Sequence, residues 1–177
     1  METLPESPQE PAVITPALDE NKLYAYREKL KLDQNLLLAC IGGASAALIG
    51  AVLWAVVTVF TKYQIGFMAV GIGFLVGFSV RQLGKGIDQI FGITGALLAL
   101  AGCLLGNFFT LVAFGAEAEG LSFFQMLFSV DYSLVPEIMI ETFSPMDVLF
   151  YGLAIYEGYK FSFRRLTEEE IMQNATS

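Results

Sequence analysis

Residues 36–60 read LLLACIGGASAALIGAVLWAVVTVF, a run without a single charged side chain. A helix needs about 20 such residues to cross the hydrocarbon core of a bilayer. The run therefore predicts a transmembrane helix, and its length leaves room for some tilt. The composition agrees, because 55% of the 177 residues are hydrophobic and only 16% are charged. A soluble fold with this composition would expose large apolar patches to water.

Three further apolar segments follow the first. They cover residues 64–83, 87–114 and 145–163. Gly84-Lys85-Gly86 forms the turn between the second and third, where the glycines permit backbone angles that other residues resist. The fourth begins with Ser144-Pro145, a pair typical of a helix start, although its uncharged core covers only residues 148–156. We expect an all-α fold, a polytopic membrane helix bundle of about four transmembrane helices with an interfacial amphipathic segment.

The segments around the spans are polar or amphipathic. Residues 1–17, rich in proline and glutamate, predict a disordered cytoplasmic tail, because they bury too little apolar surface to order the chain. Residues 18–35 predict an amphipathic helix at the cytoplasmic surface, and residues 164–177 predict a second cytoplasmic tail. Residues 115–143 hold two amphipathic stretches, each too short to cross a bilayer. We expect this segment to lie in the outer interface, or to enter the membrane as a re-entrant pair.

The basic residues indicate the orientation of the transmembrane domain, residues 36–163. Every Lys and Arg except Lys62 precedes the first span, lies where the second span meets the third, or lies at or after the end of the fourth. Membrane proteins keep such residues on the cytoplasmic side. We therefore expect a multi-pass protein with both termini in the cytoplasm.

Small residues recur at every fourth position in three spans, a spacing that lets helix backbones approach closely in lipid. The rows are Gly42, Ala46 and Gly50, then Ala69, Gly73 and Gly77, then Gly102 and Gly106. We expect most of this packing within the single chain. Three rows exceed what one helix hairpin needs, so a row shared with another subunit, or with a second copy of the chain, is the alternative.

Glu157 is the main charged residue within reach of the membrane, where a charge is costly and usually has a partner. The spacing favours a pair with Lys160 at the headgroup level. The alternative is a pair with Arg81 or Lys85 from the neighbouring hairpin, which would lock the bundle. Asn107 in the third span predicts a helix-to-helix hydrogen bond rather than an ion ligand.

Several kinds of chemistry lack the residues they need. The sequence has no histidine, the commonest metal ligand and general base. Cys40 and Cys103 lie within apolar runs, where we expect them to pack as small hydrophobes. No phosphate loop is present. The net charge of −8 disfavours nucleic acid as a partner. We expect no cofactor, no metal and no enzymatic activity.

Residues 71–106 combine Gly73 and Gly77, then Val80-Arg81, then Gly84-Lys85-Gly86, and a glycine-dotted helix that ends at Gly106. This hairpin resembles one in uncharacterised small four-helix bacterial membrane proteins. The resemblance covers roughly a fifth of the chain. It implies a protein of a prokaryotic inner membrane, and it implies no activity.

Two functions fit these observations. We expect a non-enzymatic accessory or scaffolding subunit of a membrane protein assembly, which packs through glycine-lined helices in the lipid bilayer. The alternative is a small homo-oligomeric cation channel or transporter subunit, because carboxylates outnumber the single cation of Lys62 on the expected outer side and would concentrate cations at a pore mouth. These carboxylates are Glu117, Glu119, Asp131, Glu137, Glu141 and Asp147.

Overall fold

The apolar runs fold into helices, which the computed structural model describes over residues 20–63 and 65–176. This part of the chain contains helices and no strand, which confirms the all-α prediction. The helices are α1 (Glu20–Leu32), α2 (Leu36–Thr61), α3 (Phe67–Gly84), α4 (Gln89–Glu119), α5 (Phe123–Ser129), α6 (Val135–Glu141), α7 (Pro145–Phe161) and α8 (Glu168–Thr176). The predicted tail, residues 1–17, lies outside the described residues.

Three of these helices, α2, α3 and α4, are long and apolar enough to cross a membrane. The helix α7 reaches the required length only together with α6, which meets it at an angle of 105°. By length and composition the described chain therefore holds three candidate spans, or four if this bent pair counts as one. The helix α4 continues to Glu119, beyond the predicted end of the third span at residue 114.

Local signals in the sequence set where the helices begin and end. Asn35 caps α2, because its side chain accepts a hydrogen bond from a backbone N–H of the first turn at 2.9 Å. Ser144 caps α7 in a reciprocal capping box with Asp147. Lys62 and Lys85 end α2 and α3 in the left-handed conformation, with φ of 58° and 50°, a position where glycine is usual.

The helices α2, α3, α4 and α7 pack into a bundle in which successive helices run in opposite directions. The central pair, α3 and α4, contacts both α2 and α7, and the short helices α5 and α6 pack against α4. Small side chains dominate the core and surround the fully buried Trp54. The buried residues of this core are Ala39, Ala46, Ala47, Trp54, Ala69, Ile72, Val76, Val80, Phe91, Ala99, Cys103, Tyr151 and Ala154.

The bundle has two ends of different charge. At one end, which we call the basic end, the backbone N–H of Asn35 donates to the carbonyl of Gly84 at 2.9 Å, and that of Arg164 donates to Gly86 at 2.8 Å. At the other, which we call the acidic end, Lys62 after α2 forms an ion pair with Glu117 in the last turns of α4. The chain thus alternates between the two ends from helix to helix.

The chain divides into two compact units. The larger unit covers residues 30–165 and contains the bundle. Of the described residues, the smaller unit holds 20–29 and 166–176, which contain most of α1 and all of α8. The helix α1 lies within the segment predicted as amphipathic, residues 18–35. In α8 the side-chain amide of Asn174 donates to the carbonyl of Glu170 at 2.7 Å.

Candidate functional site

The small-residue row on α2 lies at its contact with α3. Gly42 lies against Leu83, and Gly50 lies against Ile72. A Cβ atom built on Gly50 would be only 2.8 Å from Ile72 Cγ1. Ala46, between the two glycines, is buried. This row therefore packs within the single chain.

The small-residue row on α4 lies at the contact between α4 and α2. A Cβ atom built on Gly102 would lie 3.1 Å from the Cβ of Ala47, and one built on Gly106 would lie 3.1 Å from the Trp54 ring. The largest side chain of the core thus lies flat against a glycine. Because no side chain intervenes, α2 and α4 pack closely at this level.

The row on α3 faces α7. A Cβ atom built on Gly73 would lie 2.8 Å from the Cα atom of Ala154. One built on Gly77 would lie 2.9 Å from Phe161 Cβ and 3.1 Å from the carbonyl oxygen of Glu157. The neighbours at Gly73 are backbone atoms, which cannot rotate away, so this position has no room for a side chain. Ala69, the third member of the row, is fully buried.

Sequence reasoning missed the glycines that hold α7 against α4. A Cβ atom built on Gly158 would lie 2.7 Å from the carbonyl oxygen of Gly95 and 2.8 Å from Ala99 Cβ. One turn later, the buried hydroxyl of Ser162 donates to the Gly158 carbonyl at 2.6 Å. Ala154, Gly158 and Ser162 recur every fourth residue, so the spacing rule used for the other spans identifies this row too. We call four residues the glycine seam: Gly73, Gly77, Gly95 and Gly158.

The ion pairs that the sequence predicts for Glu157 are not formed in the described residues. Neither Lys160 nor Arg81 or Lys85 lies within ion-pair distance of its carboxylate. The cations of Arg81 and Lys160 instead lie over aromatic rings of their own helices, at 5.0 and 5.2 Å from the ring centroids. Such contacts attract a cation through the negative face of the ring. The four charges therefore share the basic end without a pair that locks two helices through Glu157.

The predicted helix-to-helix hydrogen bond of Asn107 is present. Its side-chain amide donates to the hydroxyl of Tyr151 on α7, and that hydroxyl donates to the carbonyl of Cys103 at 3.4 Å. These hydrogen bonds join α4 to α7 in addition to the contacts of the glycine seam. Beside it lies a cavity of about 240 Å³, bounded by α4 and by Met139 and Thr142 of the α6 region.

Other polar side chains of the bundle are scattered. Ser45 is exposed on the outer face of α2, while Thr58 on the same helix is buried at 1% exposure. The hydroxyl of Thr58 and the indole N–H of Trp54 have no hydrogen-bond partner among the described residues. The buried core around them consists mainly of apolar side chains.

The acidic end carries one ion pair and several exposed carboxylates. Lys62 pairs with Glu117, and its Nζ lies 5.4 Å from the centroid of the Phe114 ring. Asp131 accepts hydrogen bonds from the hydroxyl and the backbone N–H of Ser133, at 2.7 and 2.9 Å. These donors hold the pKa of the Asp131 carboxyl below its ordinary value, the hydroxyl having the larger effect. The remaining exposed carboxylates are Glu119, Glu137 and Glu141.

An apolar groove of about 560 Å³ runs along the outside of α2, and α4 and α5 form its other walls. It extends over about three turns of α2, from Leu48 to Phe60. Every side chain in its wall is apolar. The lining residues are Leu48, Val52, Ala55, Val56, Val59, Phe60, Phe109, Ala113, Phe123, Phe124 and Leu127. We call this surface the apolar groove.

Comparison of the chain with models of known protein families, with curated proteins and with solved structures gives no match. Within residues 20–63 and 65–176, no group of three or more His, Cys, Asp or Glu side chains is arranged to hold a metal ion.

Proposed function

We propose that the chain is a multi-pass protein of a prokaryotic inner membrane, with α2, α3, α4 and α7 crossing the bilayer. The three long apolar helices support the insertion, and the glycine seam supports the inclusion of α7. The clustering of Lys and Arg at the basic end supports an orientation with that end and both termini in the cytoplasm.

Within that membrane the proposed role is a non-enzymatic accessory or scaffolding subunit of a larger assembly. The observation that carries this proposal is the apolar filling of the bundle, in which glycines, alanines and Trp54 occupy the space between the helices. A pore through one chain needs a continuous polar lining. A bundle filled with apolar side chains is better suited to hold other subunits in position.

The surface proposed for such a partner is the apolar groove. Its walls on α2, α4 and α5 offer about three helical turns of apolar contact, a surface suited to the packing of a helix in lipid. The proposed occupant is therefore a transmembrane helix of another subunit. Phe123, Phe124 and Leu127 of α5 would cover it at the acidic end.

The second candidate is a homo-oligomeric cation channel or transporter subunit, in which several copies enclose a path between them. The exposed carboxylates at the acidic end favour it, because a ring of them would raise the local cation concentration. In this arrangement the pore would lie outside the single bundle, so the apolar filling of one chain does not oppose it.

A matched pair of variants separates these functions. Val52 lines the groove and is 47% exposed, whereas its neighbour Leu53 is 52% exposed and lies outside it. The tagged wild-type chain and the variants Val52→Trp and Leu53→Trp are extracted in mild detergent, and the proteins that elute with each are quantified by mass spectrometry. A photo-crosslinking amino acid at Val56 then shows by adduct mass whether a protein or a lipid occupies the groove.

The accessory role predicts a partner in fixed proportion that is retained by Leu53→Trp, lost with Val52→Trp, and captured from Val56. Lipid adducts alone would assign the groove to acyl chains and remove the helix partner. A homo-oligomer without a foreign partner would move the channel to first place. Ion flux into liposomes, compared between the wild type and a variant without the exposed carboxylates, would then decide.

A further inference from the structure

The basic end contains a cavity of about 590 Å³ that the accessory role does not explain. It lies where the end of α3 meets the segment that follows α7. Its lining combines four cations with a single carboxylate. The lining residues are Asp33, Arg81, Gln82, Lys85, Arg164 and Arg165.

Two sets of hydrogen bonds join the turn between α3 and α4 to neighbouring segments. The N–H of Arg164 donates to the carbonyl of Gly86 at 2.8 Å, which attaches the segment after α7 to the turn between α3 and α4. On the other side of this turn, the side-chain oxygen of Gln34 accepts from the N–H of Ile87 at 3.1 Å, and its amide donates to Asp88 at 2.9 Å. These hydrogen bonds connect the segments that carry the lining residues of the cavity.

Two of the guanidinium groups lie over aromatic rings. The Cζ atom of Arg81 lies 5.0 Å from the centroid of Phe78, and that of Arg165 lies 5.7 Å from the centroid of Phe161. A guanidinium that stacks on a ring keeps its N–H donors in a defined plane. Less side-chain freedom is then lost when an anion binds.

We propose that this cavity binds an anion that carries two phosphate groups. Guanidinium groups bind phosphate through paired N–H donors, and lysine adds a point charge. A lining of four cations and one carboxylate favours a ligand with two or more negative charges. The position at the end of apolar helices places the site at the level of lipid headgroups, where basic pockets between helices bind such groups.

Two sources supply this chemistry, a lipid with two phosphates in its headgroup and a free diphosphate. The lipid source requires that the helices lie in a bilayer, and neither source depends on the proposed partner helix. An alternative explanation of the cations is orientation in the membrane, which needs only their presence on one side. That explanation requires no cavity and no preference for any anion.

The full chain is reconstituted in nanodiscs of phosphatidylcholine that contain cardiolipin, phosphatidylglycerol or neither, and bound lipid is counted by native mass spectrometry. Inorganic pyrophosphate is titrated against the nanodiscs without cardiolipin in a separate arm, with inorganic phosphate as its comparison. The test variant is Arg81→Gln with Arg165→Gln. The control is Lys160→Gln, which removes a charge at the same end of the bundle from a residue outside the cavity.

The expected result is saturable binding of cardiolipin in preference to phosphatidylglycerol. The double variant should lower the affinity roughly 25-fold, about fivefold for each charge removed, and Lys160→Gln should change it by less than about twofold. Tight binding of pyrophosphate without a preference for cardiolipin would assign the same cavity to a soluble diphosphate.

Equal losses in the double variant and in Lys160→Gln would overturn the site, since they would show general attraction to an anionic surface. Binding of neither probe would overturn it as well. If the double variant fails to elute as a folded species, Arg165→Gln alone replaces it. Arg165 is an exposed residue, and the expected loss is then about fivefold.

Discussion

The helices α2 and α7 join the same bundle for different physical reasons. The helix α2 has 26 residues and is apolar and long enough to cross a membrane alone. The helix α7 has 17 residues and becomes a candidate span only together with α6. The backbone of α7 contacts α3 and α4 closely at the glycine seam. The helix α2 places the fully buried ring of Trp54 in the core. Apolar length alone identifies α2 as a candidate span, whereas α7 is too short for that and is identified by its close contacts with α3 and α4.

The largest effect is expected on the α2 side of this comparison. Trp54→Ala removes a fully buried ring that lies against Gly106, and the rigid backbone around it cannot close the space. The free energy of unfolding should fall by about 3–5 kcal/mol, the range for loss of a large aromatic side chain from a packed core. Unfolding of the purified chain by titration with a denaturing detergent measures the difference.

Leu53→Ala is the matched control for this prediction, since Leu53 is 52% exposed and lies one position away on the same helix. Its effect should stay below about 1 kcal/mol, because an exposed position leaves no internal cavity. If the two variants were equally stable, Trp54 would not fill the core between α2 and α4.

The next largest effect is expected at the glycine seam. Gly158→Ala forces a Cβ atom to within 2.7 Å of the Gly95 carbonyl oxygen, and neither backbone can move without separating α7 from α4. We expect a loss of about 1–3 kcal/mol, as for other insertions into a packed core. The same unfolding titration is used, together with protease sensitivity of the segment around α7.

Gly152→Ala gives the control on the same helix, because a Cβ atom at Gly152 meets nothing within 4 Å. This substitution should be neutral or stabilise the helix by up to about 1 kcal/mol, since alanine is the better helix former. Similar losses in both variants would show that α7 responds to any change in its backbone freedom, and that the seam has no special role.

This difference between α2 and α7 also explains what the sequence predicts well. The helices α2, α3 and α4 follow from runs of apolar residues, a local property that can be read from a short stretch of the sequence. The start of α7 follows from Ser144-Pro145, another local signal. The partner of α7 does not, because the contact between Gly95 and Gly158 joins residues from different parts of the chain.

The candidate sites show the same limit. The spacing of small residues predicts the rows on α2, α3 and α4, but it does not say which helix each row faces. The pairs expected for Glu157 are not formed, because Arg81 and Lys160 lie over aromatic rings one turn away on their own helices. The basic cavity combines residues from α3 with Arg164 and Arg165, which only the folded bundle brings together.

The smallest expected effect is a change in the pKa of Asp131, in the turn between α5 and α6. This turn takes part neither in the packing of α2 nor in the glycine seam. Donation from Ser133 lowers the pKa of the Asp131 carboxyl from its ordinary value of 3.8. A lowered pKa means that the folded turn favours the ionised carboxylate. The stability it contributes is therefore present above pH 3.8 and is lost as the pH falls through the folded pKa.

Ser133→Ala removes the hydroxyl donor, which is the larger cause, and leaves the backbone N–H at 2.9 Å in place. The pKa of Asp131 should rise part of the way towards 3.8, as followed by the carboxyl resonance in an NMR titration of the labelled chain. Ser129→Ala, at the end of α5, is the control and should leave the pKa unchanged. If Ser133→Ala also left it unchanged, the turn would not be held by this hydroxyl.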